Sequence, residues 1–143
     1  MSYNSIHDPE DQPDNKQVIP DKPEVPLIYL AAPFSHPDPE VSRHRLEEVN
    51  GYAVHLLSRG ALSFSPLSHG AQLDSPEIPN SVWYELGLRI MEGCDQLWLL
   101  TLDGWEDSKG VRMELERAWQ LDIPVYVVNP DTYEVQPREL TRI

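Results

Sequence analysis

The chain has 143 residues, enough for one domain with its own core, and a formal net charge of −13. That charge excludes an electrostatic footprint for duplex nucleic acid or an anionic membrane surface. A single cysteine, Cys94, excludes an intramolecular disulfide framework and a cysteine-based zinc site.

Residues 1–25 are acidic and rich in proline, with few apolar side chains. Such a segment buries too little surface to offset the entropy of ordering, so a disordered tail is expected there. A single domain is expected over residues 26–143. Residues 27–32, Leu-Ile-Tyr-Leu-Ala-Ala, form an apolar run between Pro26 and Pro33 and read as a buried strand. Residues 39–58 read as a helix with Pro39 in its first turn and Gly60 as its stop. A second strand is expected over 61–65, closed by Pro66, and a long loop over 67–80. Loops of that length in a compact domain are often functional. A helix follows over 81–93, then the most apolar strand over 96–102. Residues 103–110 are rich in turn formers. A helix over 111–121, a strand over 124–128 and a short terminal helix from Pro137 complete the pattern.

Strands alternating with helices predict an α/β domain. Its expected form is a Rossmann/flavodoxin-like parallel sheet of four or five strands with helices on both faces. Ligands in such folds sit beyond the carboxyl ends of the strands, which here are residues 32–38, 65–74 and 103–110. One residue near them breaks its local pattern. On the helix over 111–121, Val111, Leu115, Ala118 and Trp119 make an apolar stripe, and Arg112, Glu116 and Gln120 make the solvated face. Glu114 falls inside the stripe. A carboxylate there is a boundary residue reaching solvent, a member of an ion pair, or a functional group. Ser108 and Gly110 lead into the same helix, whose N-terminal amides favour an anion.

Several segments together resemble the nucleoside 2-deoxyribosyltransferase superfamily, most nearly a bacterial and phage branch of it. They are Ile28-Tyr29-Leu30-Ala31-Ala32-Pro33-Phe34, Cys94-Asp95 ahead of a hydrophobic strand, the Gly-Trp-x-x-Ser-x-Gly-x-x-x-Glu run from Gly104 to Glu114, and Ile123-Pro124-Val125. The resemblance spans about residues 26–130. It implies cleavage, or exchange of the base, at the N-glycosidic bond of a 2'-deoxynucleoside or its 5'-monophosphate. It also implies that Glu114 is the nucleophile and that Tyr29 orients it. Ala32, Pro33, Phe34 and Ser35 would approach the sugar or its phosphate, with Asp103, Trp105, Ser108 and Gly110 as further substrate contacts. Serine at 108 leans towards a phosphorylated substrate. Relatives pair their subunits, so a homo-oligomer is expected, with Asn129 a candidate intersubunit contact.

A carboxylate near an anomeric carbon can stabilise an oxocarbenium-like state or bond to it, and the leaving base needs a proton. Asp103, Asp107, Glu85 and His69 are candidates for that second acid. The chemistry calls for no metal or other cofactor, and the histidines have no metal-ligand spacing. Two departures from the family pattern stand out. Gly87 occupies a helix position where relatives often carry Asp. The loop after the first strand has Ser35 and His36 but no phosphate-gripping arginine, a role Lys109, Arg112 or Arg89 would have to fill. Trp83, Tyr84, Trp98 and Trp119 read as core or interface aromatics, Cys94 as a small buried hydrophobe and Asp95 as a turn residue. A polar N-terminus without a leader pattern, and the absence of an apolar run of roughly 20 residues, predict a cytoplasmic protein. Two other readings of the same features are a nucleotide-binding module without turnover and a purely structural or inhibitory protein.

Overall fold

The computed structural model describes residues 25–139. The tail expected over 1–25 therefore lies almost entirely outside the described residues. The domain is an α/β sandwich around one sheet. Its strands are β1 (Leu27–Ala31), β2 (Leu62–Phe64), β3 (Gln96–Leu100), β4 (Val125–Val128) and β5 (Val135–Arg138), in the order β2-β1-β3-β4-β5. The first four are parallel, and β5 runs antiparallel to β4. This is the Rossmann/flavodoxin-like arrangement. After β1 the chain turns outward to β2, then returns to place β3 on the other side of β1. The carboxyl ends of β1 and β3 thus flank the topological switch point, where such sheets open a crevice.

Side-chain alternation along β1 splits the core in two. Tyr29 and Ala31 pack with Leu97, Leu99, Met91, Val111, Leu115 and Ala118 on the face covered by α3 (Asn80–Met91) and α4 (Lys109–Leu121). Leu30 and Ala32 pack with Val49, Tyr52, Leu56, Leu100 and Val128 on the face covered by α1 (Pro39–Ser58). Helix α1 has its expected bounds. Asp38 caps it by accepting from the Glu40 N–H at 3.0 Å, and Pro39 sits at the first helical position, where a missing N–H is harmless. Asp95 has a structural task, since its Oδ2 accepts from the Leu27 N–H at 2.8 Å and fixes the start of β1.

Three local expectations are corrected. The loop expected over 67–80 begins with a short helix, α2 (Pro66–Ala71). Ser65 caps it by accepting from the Ser68 N–H at 3.2 Å, so the Ser-Pro pair that closes β2 also starts a helix. Helix α4 starts at Lys109, two residues before the expected 111, because Ser108 is its N-cap. The terminal helix expected from Pro137 is replaced by β5. Asn129 folds that hairpin, its Oδ1 accepting from the Asp131 and Thr132 N–H groups. Pro137 is tolerated because β5 is an edge strand. Among the described residues no helix is long and apolar enough to cross a membrane.

Candidate active site

A cleft of about 1050 Å³ opens at the carboxyl ends of β1 and β2, a volume that suits a small organic ligand. Ala32, Phe34 and Ser35 of the loop after β1 form one side. Phe64, His69 and Gly70 from β2 and α2, with Asp74 beyond them, form another. Trp83, Tyr84 and Gly87 of α3 face it, and Asp107, Ser108, Lys109, Gly110 and Glu114 close it.

Glu114 and Tyr29 meet on its wall. The Tyr29 hydroxyl donates to Glu114 Oε2 at 2.5 Å, a short charge-assisted hydrogen bond between residues 85 apart in sequence. Tyr29 is buried, with 1 % exposure, because its ring belongs to the core between sheet and helices. The ring is thus held by packing, and the hydroxyl meets Glu114 on the cleft wall. Glu114 is half-buried, and its Oε1 accepts no hydrogen bond among the described residues. No cation pairs with it there.

The electrostatics follow from this environment. Burial pushes the Glu114 carboxyl up to about 7, with the Tyr29 hydrogen bond pulling the other way. Burial, with the adjacent Glu114 charge, raises the Tyr29 hydroxyl well above the ordinary phenol value, so Tyr29 acts as a donor rather than an acid. The pair presents one free carboxylate oxygen, orientation fixed through the other, in a titration range where it can gain or lose a proton near neutrality.

Gly87 leaves room beside this contact. A Cβ added there would lie 3.0 Å from the Tyr29 hydroxyl oxygen. Glycine inside a helix costs about 1 kcal/mol relative to alanine, and here it leaves room for the hydroxyl. A bulkier residue at 87, such as aspartate, would crowd that hydroxyl.

The family model described as a domain of unknown function, DUF1937, matches residues 26–130, most of the chain. The chain belongs to the DUF1937 family. No curated protein matches it.

In this DUF1937 domain the sequence-derived candidates separate into two groups. Glu114, Tyr29, Ala32, Phe34, Ser35, Ser108 and Gly110 all line the cleft. Pro33, Asp103 and Trp105 do not line it. Pro33 is fully buried beneath the loop. Asp103 contributes a backbone carbonyl to Arg45. Trp105 packs on the core beside α4, and the Arg138 guanidinium lies 5.5 Å from its ring centroid. Its position in a turn-rich segment suggested access, but the 3-10 turn over Trp105–Asp107 rolls the ring inward.

The candidate acids separate as well. Asp107 and His69 line the cleft, whereas Glu85 forms an ion pair with Arg89 at 2.9 Å on the outer surface of α3. Of the proposed phosphate partners, Arg89 is thereby engaged, and Arg112 donates to the Glu106 carbonyl. Lys109 lines the cleft. Trp83 and Tyr84, expected in the core or an interface, are cleft residues, and Trp119, expected in the stripe of α4, is 38 % exposed. Asp74 was missed because it sits in a loop with no periodicity to mark it. Among the described residues no group of three or more His, Cys, Asp or Glu side chains is arranged to hold a metal ion.

Proposed function

We propose that this domain cleaves, or exchanges the base on, the N-glycosidic bond of a nucleoside or its 5'-monophosphate, with Glu114 as nucleophile. The observation that carries this reading is the Tyr29–Glu114 pair, with one carboxylate oxygen free, on the wall of a cleft at the carboxyl ends of β1 and β2. The resemblance to nucleoside 2-deoxyribosyltransferases supports it independently, since those enzymes use a glutamate and a strand tyrosine in the matching sequence positions.

The chemistry runs in two steps. The free Oε1 of Glu114 attacks C1', the C1'–N bond breaks, and the base departs with that bond's electron pair and takes a proton from an acid. Asp107, His69 and Asp74 are the cleft residues able to supply it. Water or a second base then attacks C1', the ester bond to Glu114 breaks, and the proton lost by the incoming group returns to the acid. Tyr29 holds Oε2 throughout, which keeps the carboxylate aimed and stabilises the charge that returns to it on release. The aromatic side chains of Phe34, Phe64, Trp83 and Tyr84 suit a planar base. The proposal extends to a cytoplasmic homo-oligomer, as in the enzymes it resembles.

A second reading, a nucleotide-binding module without turnover, is favoured by one observation. Position 87 is glycine and offers no carboxylate, and a Cβ there would already lie 3.0 Å from the Tyr29 hydroxyl. Incubation with the deoxynucleosides and their monophosphates, followed by chromatography for free base, separates the readings. Base release that is lost in Glu114→Gln supports the enzyme. Thermal stabilisation by one of these compounds without base release supports the binding module. Neither effect refutes both.

A further inference from the structure

Arg45, in the second turn of α1, is only 7 % exposed, and no carboxylate pairs with it among the described residues. A buried guanidinium demands acceptors. It finds them in backbone carbonyls of two loops. Nη1 donates to the Ser35 carbonyl at 3.0 Å and, more weakly, to the Phe34 carbonyl at 3.4 Å, and Nη2 donates to the Asp103 carbonyl at 2.7 Å. One loop follows β1 and the other follows β3, so Arg45 ties together the two strand ends that flank the switch point.

The consequence for the cleft comes from peptide geometry. In a trans peptide the C=O and the following N–H point in opposite directions, and all the described peptides are trans. Carbonyls of Phe34 and Ser35 turned towards Arg45 therefore turn the N–H groups of Ser35 and His36 away from it. Ser35 and Phe34 line the cleft, whereas Arg45 lies behind them. Neither N–H meets an acceptor among the described residues. Ser35, one of these two donors, lines the cleft, whereas His36 is exposed next to it.

Gly104 shows how closely the fold is built around this guanidinium. Its φ is +85°, and a Cβ there would lie 2.7 Å from Arg45 Nη2. No L side chain fits at that point without displacing the arginine.

We infer that Arg45 is a positioning residue, which holds the loop after β1 so that Ser35 presents its N–H to an oxygen-bearing part of the ligand, and which locks that loop to the turn leading into Glu114's helix. The inference rests on the cleft being the ligand site, as proposed above. Lysine cannot reproduce it, because one ammonium cannot span carbonyls of two loops in the planar fork that arginine offers.

The test uses the full chain, 15N-labelled, as wild type, Arg45→Lys and Gly104→Ala. Amide order parameters at Ser35, His36, Asp103 and position 104 are measured alongside Leu99 and Val127. The expected result is a fall from about 0.85 to below about 0.6 in both loops of each variant, with Leu99 and Val127 unchanged. Unchanged loops overturn the inference, and so does an equal loss in loops and sheet, which would make Arg45 a general stability residue. In the base-release assay Arg45→Lys is expected to raise KM about tenfold and change kcat little. An unchanged KM overturns the positioning role. If the wild type releases no base, the glycosidic reading fails, while the order parameters still decide whether Arg45 holds the two loops.

Discussion

Replacing Glu114 by glutamine probes the site without any knowledge of the substrate. The Glu114 carboxyl is pushed from an ordinary 4.5 up to about 7 by burial. A group whose folded-state value is raised keeps its proton longer in the folded chain than in the unfolded one. Stability therefore falls as pH rises from about 4.5 to about 7 and stays at the lower level above that. A shift of this size corresponds to roughly 3 kcal/mol at about 1.4 kcal/mol per unit. Because the carboxylate opens onto a solvated cleft, about 1–3 kcal/mol is the realistic range. Glutamine is nearly isosteric, stays neutral at every pH, and can still accept from the Tyr29 hydroxyl. At pH 8 the variant should thus be more stable than wild type by about 1–3 kcal/mol, and near pH 4 the two should coincide. Urea unfolding at half-unit pH steps from 4 to 8.5 gives the difference curve, in which all other titrating groups cancel. A variant less stable than wild type at pH 8, or a flat difference curve, would refute the placement of this carboxylate in a desolvated wall.

The same titration governs activity. If Glu114 attacks C1', base release should rise with pH through about 7, and a profile that falls there would assign it the general-acid role instead. Tyr29→Phe removes the one interaction that lowers the Glu114 value. The rising limb should move to higher pH and kcat should drop about 10- to 100-fold, and an unmoved limb would remove the orienting role. Gly87→Ala places a methyl group 3.0 Å from the Tyr29 hydroxyl. Despite a gain of up to about 1 kcal/mol in helix propensity, activity should fall about tenfold with the limb shifted the same way; an activity equal to wild type would show that the hydroxyl yields freely. Asp95→Ala should cost about 1 kcal/mol of stability by freeing the Leu27 N–H and leave the pH profile alone, a result read from parallel denaturation and rate curves.

The layered fold was legible along the chain because periodicity reports which face of an element is buried. Strand β1 and the central β3 announced themselves as apolar runs, α1 by its proline start and glycine stop, and Glu114 as a carboxylate lying in an apolar stripe. Where two local signals compete, the reading failed. Ser65-Pro66 both ends a strand and caps a helix, and Pro137 fits a helix start as well as a sheet edge, so tertiary pairing with β4 decided the latter.

Partnership was illegible for a different reason. Spacing along one element says that a side chain turns inward, but not what it meets. That Glu114 meets Tyr29, that the helix bearing Gly87 passes close to the Tyr29 hydroxyl, and that Arg45 reaches two loops from the second turn of α1 all depend on the strand order. The residues themselves determined the alternating α/β layers and an out-of-pattern carboxylate. Only the crossing of the chain at β1 and β3, which joins segments 85 residues apart, turned that carboxylate into half of a hydrogen-bonded pair on a cleft wall.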